Sequence, residues 1–473
     1  MRGPRPFGAN RPAIHSAFLV LAIALSAIAT VGCAPDGSIA PPAVGATGRA
    51  DQAADDPNTI VVSTSSELTA ALTPDNAGRH VHILAGAYEL TQPLSVPDQM
   101  TIHGDGVMLF DDARLPTGFA AGTRTTLTMT TNVPGDLLSL GNGASIRGLA
   151  IEDYLGRSGN VIGVVSRNAG DQVSAAIDET EIVNPNGHGI VPSGPIGCAV
   201  AVLTLNPNGG ADPSPHAGAA IATRISRSLF HSTSMGTGCG LFAFNFAPLG
   251  DVSVTLDGNI VGGGVIASGG VSRPDAVHDS RTTIQSQRNL YRNDTPDQCA
   301  PQRLGWNVQG ASGPPVPLLV GETARNALRI HSLDDRLEGF TTAIFASGGR
   351  RFFGLPTAGA TTANSAELEL IGTTISTPGC GGASFVTDFQ LAGARTASAT
   401  LLPGDGNTLH LLMRGVTGSG SRSNVYADVL GPTGPVAAQY QGTGNDLGFV
   451  GNLQSFTSTN SAIAPAPDAA FFH

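Results

Sequence analysis

From Asn58 onward the chain repeats one unit: a short strand with alternating apolar residues, a polar turn, and an aliphatic residue that opens a second short strand. The segment Asp251-Val-Ser-Val-Thr-Leu-Asp-Gly-Asn259-Ile260 has a counterpart in Ser280-Arg-Thr-Thr-Ile-Gln-Ser-Gln-Arg-Asn289-Leu290 and another in the run from His216 to Leu229. The aliphatic marker recurs at Leu149, Ile182, Leu229, Ile260, Leu290, Leu337, Ile375, Val416 and Leu453, at uneven intervals. Unevenness is informative, because a stack of short strands tolerates loops of any length between them. Each unit supplies two or three strands, too few to bury a core alone. Stacked in register, the units bury one face of every strand in a continuous column, and parallel pairing between coils satisfies the backbone groups. The repeat therefore predicts an all-β solenoid.

Ahead of the repeat, Ser65–Leu72 reads as a short capped helix with Leu68, Ala71 and Leu72 on one face. It is followed by His80-Val-His-Ile-Leu-Ala-Gly-Ala-Tyr88, by Pro93-Leu-Ser-Val96 and by Met100-Thr-Ile-His-Gly-Asp-Gly106. In this order the segments resemble the N-terminal entry of the pectin-lyase-like superfamily, where they plug the open end of the solenoid. The resemblance implies a right-handed parallel β-helix over roughly 58–455. Residues 58–106 would form the cap and first rungs, 107–455 the β-helix, and 456–473 a C-terminal tail.

The N-terminus reads as an export signal. Arg2, Arg5 and Arg11 precede the apolar run Ala17–Ile28, and small residues lead into Cys33. The Ala29–Cys33 stretch resembles the lipobox of bacterial lipoproteins, which implies that residues 1–33 are a signal segment in which Cys33 is acylated and, after cleavage just before it, becomes residue one. Residues 34–57 then read as a flexible tether. The expected location is outside the cytoplasm, either anchored at the cell envelope by lipid or secreted. Cys198, Cys239, Cys299 and Cys380 remain, and in an exported chain they suggest two disulfides in any of three pairings.

Composition excludes several function classes. All 25 basic side chains are Arg, so Schiff-base chemistry and a P-loop lysine are absent. The formal net charge of −11 argues against a nucleic-acid partner.

Candidate chemistry concentrates in two places. Gly187-His188-Gly189 is similar to the Gly-His-Gly element of polygalacturonases. The paired aspartates of that family are missing, but Asp178, Glu179 and Glu181 stand close by. These four residues are the candidate acid–base set. Arg227, Asp257 and Arg288 fall with Glu179 near equivalent turn positions of neighbouring rungs. They are candidate substrate-binding residues for an acidic sugar, through Arg directly or through carboxylate-bridged Ca²⁺ if the chain is a lyase. His80, His82 and His103 are expected as exposed polar positions around inward-facing Val81, with a transition-metal site as the alternative. His331, Asp334 and Asp335 share one turn, where Asp serves backbone hydrogen bonding. Trp306 and Tyr291 would offer a sugar-stacking platform only if they shared a groove. The expected function is a surface or secreted protein that binds polysaccharide or another envelope component. A polysaccharide lyase or glycoside hydrolase is the alternative.

Overall fold

The computed structural model describes residues 56–457, apart from 158, 167, 186–196, 205–216, 232–238, 273–275, 295–303, 312–321, 351–360, 377–386, 396–405, 420–424, 429–445 and 451–455. Cys33, His188, Cys299, Cys380 and Leu453 lie outside the described residues, as do the segment expected to be an export signal, nearly all of the expected tether and residues 458–473 of the expected tail, whose Phe456–Thr457 instead form the last described strand of the solenoid. The chain is a parallel β-helix. Three long sheets, A of twelve strands, B of eleven and C of ten, each take one strand from successive coils. In every case the neighbours pair in parallel (sheet A, for example, joins Gln172–Asp178 to Ala220–Ser226 and then to Asp251–Asp257).

Alternation in the sequence becomes columns in the core. Sheet A stacks Val81, Ile102, Ile146, Ile177, Ile225 and Leu256 along its inner face. Sheet B stacks Tyr88, Leu127, Ile151, Ile182, Phe230, Val261, Tyr291, Leu337 and Ile375. Leu229, Ile260 and Leu290 therefore stand one residue ahead of the inner column and face outward. Leu149 and Val416 stand in the turn. A strand of three residues gives a repeat too little to fix its phase, and a slip of one residue exchanges the faces.

The turn from sheet A to sheet B is two residues long and is held by a buried side-chain ladder. The amide of Ser228 donates to Asn259 Oδ1 at 2.9 Å, that of Asn259 to Asn289 Oδ1 at 2.9 Å, and that of Asn289 to Asp335 Oδ1 at 2.8 Å. A second ladder, Ser280–Asn326–Asn364–Asn407, does the same where the chain enters sheet A. Each rung thereby satisfies turn amides that pairing within the sheets leaves open.

Helix α1 (Ser65–Ala71) carries a capping box. Thr64 accepts from the amide of Glu67, whose carboxylate accepts from the amide of Thr64, and Leu68 and Ala71 face the core. Cys198 and Cys239 form a disulfide that joins successive rungs at the entry to sheet C. An antiparallel hairpin, Met108–Phe110 with Pro116–Phe119, leaves the A-to-B corner after Gly104. Its Leu115 packs on the outward column Leu229, Ile260 and Leu290. The hairpin so forms a ridge along the corner, anchored rungs away from where it emerges.

Candidate functional site

The last outward position of sheet A runs, rung by rung, through His82, His103, Arg147, Asp178, Ser226, Asp257 and Gln287. One residue further, in the turn, stand Glu179, Arg227, Gly258 and Arg288, all at positive φ. Stacking places these side chains about 4.8 Å apart along the axis. Asp257 thus belongs to the strand column, with Asp178, rather than to the turn column of Glu179, Arg227 and Arg288. Gly258 holds its expected place.

At the N-terminal end of this column a groove of about 750 Å³ opens beside the hairpin. Asp56, Thr59, His80, His82, Thr101, His103, Asp105, Arg147 and Glu179 line it, and Val107 and Met108 form the hairpin side. His82 is only 8% exposed, in contrast to the expected solvent-facing position. Its Nε2 meets Asp105 Oδ1 at 2.7 Å, and the other carboxylate oxygen of Asp105 accepts the amide of Ala85 at 2.9 Å. The His103 ring stacks on that of His82 with centroids 5.7 Å apart. Asp105 supplies the carboxylate that the histidine pattern lacks in sequence. The coil between the two strands carries it back to His82, a relation that no local motif reveals. Among the described residues, no group of three or more His, Cys, Asp or Glu side chains is placed to hold a metal ion.

The charged column is paired throughout. Arg147 donates to Glu179 at 2.8 and 3.0 Å and approaches Asp178 at 3.7 Å. Arg227 holds Asp178 in a fork of 2.6 and 3.1 Å and reaches Glu179 at 3.3 Å. Arg288 donates to Asp257 at 2.7 Å. Hydrogen bonding to Asp178 raises the Arg227 pKa, and bonding to Asp257 raises that of Arg288. The carboxylates sit low, with side-chain exposures from 11% to 25%, while the three guanidinium groups are 49% to 62% exposed. The outer layer of the strip is therefore arginine. Asp178, Glu179, Arg227, Asp257 and Arg288 are brought together, and Arg147, which sequence reasoning passed over, joins them. Its position directly before Gly148-Leu149, matching that of Asp178 before its own turn, was the available signal.

Glu181 is separated from Asp178 and Glu179 by the corner and faces out from sheet B. Arg124 reaches it at 3.2 Å while bonding Glu152 at 2.7 Å, and His231 stands 3.6 Å away on the next rung. Asp294, whose carboxyl is raised by burial against the pull of Arg292 and His231, completes this network.

The remaining candidates disperse. His331 pairs with Glu369 at 2.8 Å on the outer face of sheet A, whereas Asp335 turns inward and is fully buried. Tyr291 and Trp306 meet edge to face at 5.3 Å inside the core, at 0% and 1% exposure, so neither offers a sugar platform.

No protein-family model and no curated protein matches the chain. Two solved structures are similar at a distance. The A-module of the Azotobacter vinelandii mannuronan C-5 epimerase AlgE4 is 12% identical, covering 86% of this chain and 99% of that one, with a TM-score of 0.36. The Dettilon tailspike protein is 10% identical, covering 82% and 70%, with a TM-score of 0.34. The parallel β-helix is read from the chain's own strand pairing, independently of either.

Proposed function

We propose that this protein is an exported, envelope-associated β-helix that binds a polysaccharide in the groove beside the hairpin and along the arginine strip leading from it. The observation that carries this reading is the continuity of the two. The groove contains Arg147 and Glu179, which form the first ion pair of the strip. An occupant lying along the solenoid axis meets imidazoles, then guanidinium groups, at steps of one rung. Side chains of this kind, fixed on rigid strands, suit a polymer rich in hydroxyl and acidic groups better than a compact apolar ligand.

A second reading, a polysaccharide lyase or glycoside hydrolase, draws support from the His82–Asp105 pair. A carboxylate fixed by a backbone amide and bonded to imidazole is how a general base is oriented. One experiment tests both readings. The purified full chain is titrated with acidic and neutral polysaccharides, following binding, unsaturated products and new reducing ends, with and without Ca²⁺. Binding without product, weakened by His103→Ala or Arg147→Gln, supports the binding role. Product formation that His82→Ala abolishes moves the protein to the enzymes, and silence against the whole panel overturns both readings.

A further inference from the structure

Over six successive rungs the corner strip alternates in sign: Arg147, Glu179, Arg227, Asp257, Arg288, Asp334. The alternation is regular because each arginine borrows its counter-charge from an adjacent rung. Arg147 bonds to Glu179 at 2.8 Å and Arg288 to Asp257 at 2.7 Å, and the rung that carries two carboxylates side by side, Asp178 and Glu179, is flanked on both sides by an arginine that reaches them. The two signs are not equally available. The carboxylates lie beneath, and the half-exposed guanidinium groups cover them. A guanidinium carries five N–H donors. The carboxylate contacts described above engage Nε and Nη2 of Arg147, Nε, Nη2 and Nη1 of Arg227 and Nη2 alone of Arg288, fewer than five N–H groups in each case. The outer surface of the strip is thus a row of cationic donors repeating every second rung, a period of about 10 Å. That is close to the length of two linked pyranose rings.

We infer that the strip recognises an acidic polysaccharide bearing one carboxylate or sulfate on every second sugar, laid parallel to the solenoid axis. The inference rests on the polysaccharide reading and adds spacing to it. A polymer with an anion on every sugar would place half of its charges over Glu179 and Asp257, where each meets a carboxylate. An alternating polymer places every anion over an arginine and a neutral sugar over each acidic rung. Like-charge contacts of this kind are an effective means of rejecting the wrong ligand.

The test uses the full chain and calorimetric titration at fixed ionic strength. Three probes are matched in length from tetra- to octasaccharide: hyaluronan oligomers, with a carboxylate on every second sugar; oligogalacturonates, with one on each; and neutral maltooligosaccharides. Hyaluronan oligomers are expected to tighten with each added disaccharide until all three arginines are spanned, and then to level off. They should bind about tenfold or more tightly than oligogalacturonates of equal length, as one well-placed charge-assisted contact allows. Arg227→Gln should lose about tenfold for hyaluronan alone. Arg227→Gly guards against misfolding, since glycine suits the positive φ at this position, and should lose as much. Equal or tighter binding of oligogalacturonate, or no effect of either variant, overturns the spacing rule while polysaccharide binding stands. Binding of no probe at all overturns the spacing rule together with the reading it rests on.

Discussion

The residues of the strip are held in an unusual backbone. Glu179, Arg227, Arg288 and Asp334 have φ between 44° and 55°, at the turn position that Gly148, Gly258, Gly372 and Gly415 fill on other rungs. A non-glycine residue there costs roughly 1 kcal/mol. Charged side chains are kept at four rungs despite a fold that accepts glycine at the same place. Arg288→Gly should therefore raise the melting temperature, or leave it unchanged, while weakening acidic-glycan binding. A clear fall in melting temperature would show that the arginine serves the fold. Asp335 presents the opposite case. It occupies the ladder position of Asn259 and Asn289, is fully buried, and accepts both the amide and the side-chain Nδ2 of Asn289. Burial raises its pKa, so the folded state favours the protonated acid. Its contribution is then fully present below the ordinary carboxylate range and is lost as pH rises through the folded pKa. Asp335→Asn continues the ladder without a charge. It should be more stable than the parent at pH 7, by roughly 1 kcal/mol, with the gap closing towards pH 4. Thermal unfolding across that range checks it, and a variant less stable at neutral pH would refute the account.

At the level of elements, the solenoid was legible in the sequence because each long strand alternates over seven residues, as in Asp251–Asp257, and its inward set cannot be mistaken. The helix α1 was legible from its cap. The three-residue strands of sheet B were harder. Phe230, Val261 and Tyr291 form the inner column, but their neighbours Leu229, Ile260 and Leu290 are equally apolar, since the hairpin covers them from outside. The strip residues could be aligned to within one position, and that one position separates Asp257 from the turn. Nothing local links Asp105 to His82, because their meeting depends on the length of the coil between them. The hairpin also yields a prediction. Leu115 is 4% exposed and is the hairpin's member of the apolar cluster on the outward column. Leu115→Ala should cost about 2–3 kcal/mol of local packing, which would appear as earlier proteolytic cleavage between Val107 and Ala120 with the global melt little changed. Because Val107 and Met108 line the groove, glycan affinity should fall in step. Unchanged cleavage would mean that the ridge is held by something other than this contact.

Over the whole molecule the charge runs against the ligand proposed for the strip. The formal net charge is −11, so an acidic polymer is repelled until it is close. The attraction of the strip is short-ranged, because each arginine sits over its own counter-ion and acts through directed N–H donors rather than through a broad positive field. Salt affects the two terms differently. The screening length shrinks from about 30 Å at 0.01 M to about 10 Å at 0.1 M. The first increments of salt therefore remove the repulsion of distant carboxylates while leaving guanidinium contacts at hydrogen-bond distance largely intact. Further salt then weakens those contacts as well. Association of an acidic oligosaccharide should accordingly speed up from the lowest ionic strength to about 0.1 M, and affinity should pass through a maximum before declining. Stopped-flow association over a salt series measures this directly. A rate that falls steadily from the lowest salt would mean that the ligand senses a local positive field that outweighs the net charge, and the strip would then act through long-range attraction rather than contact.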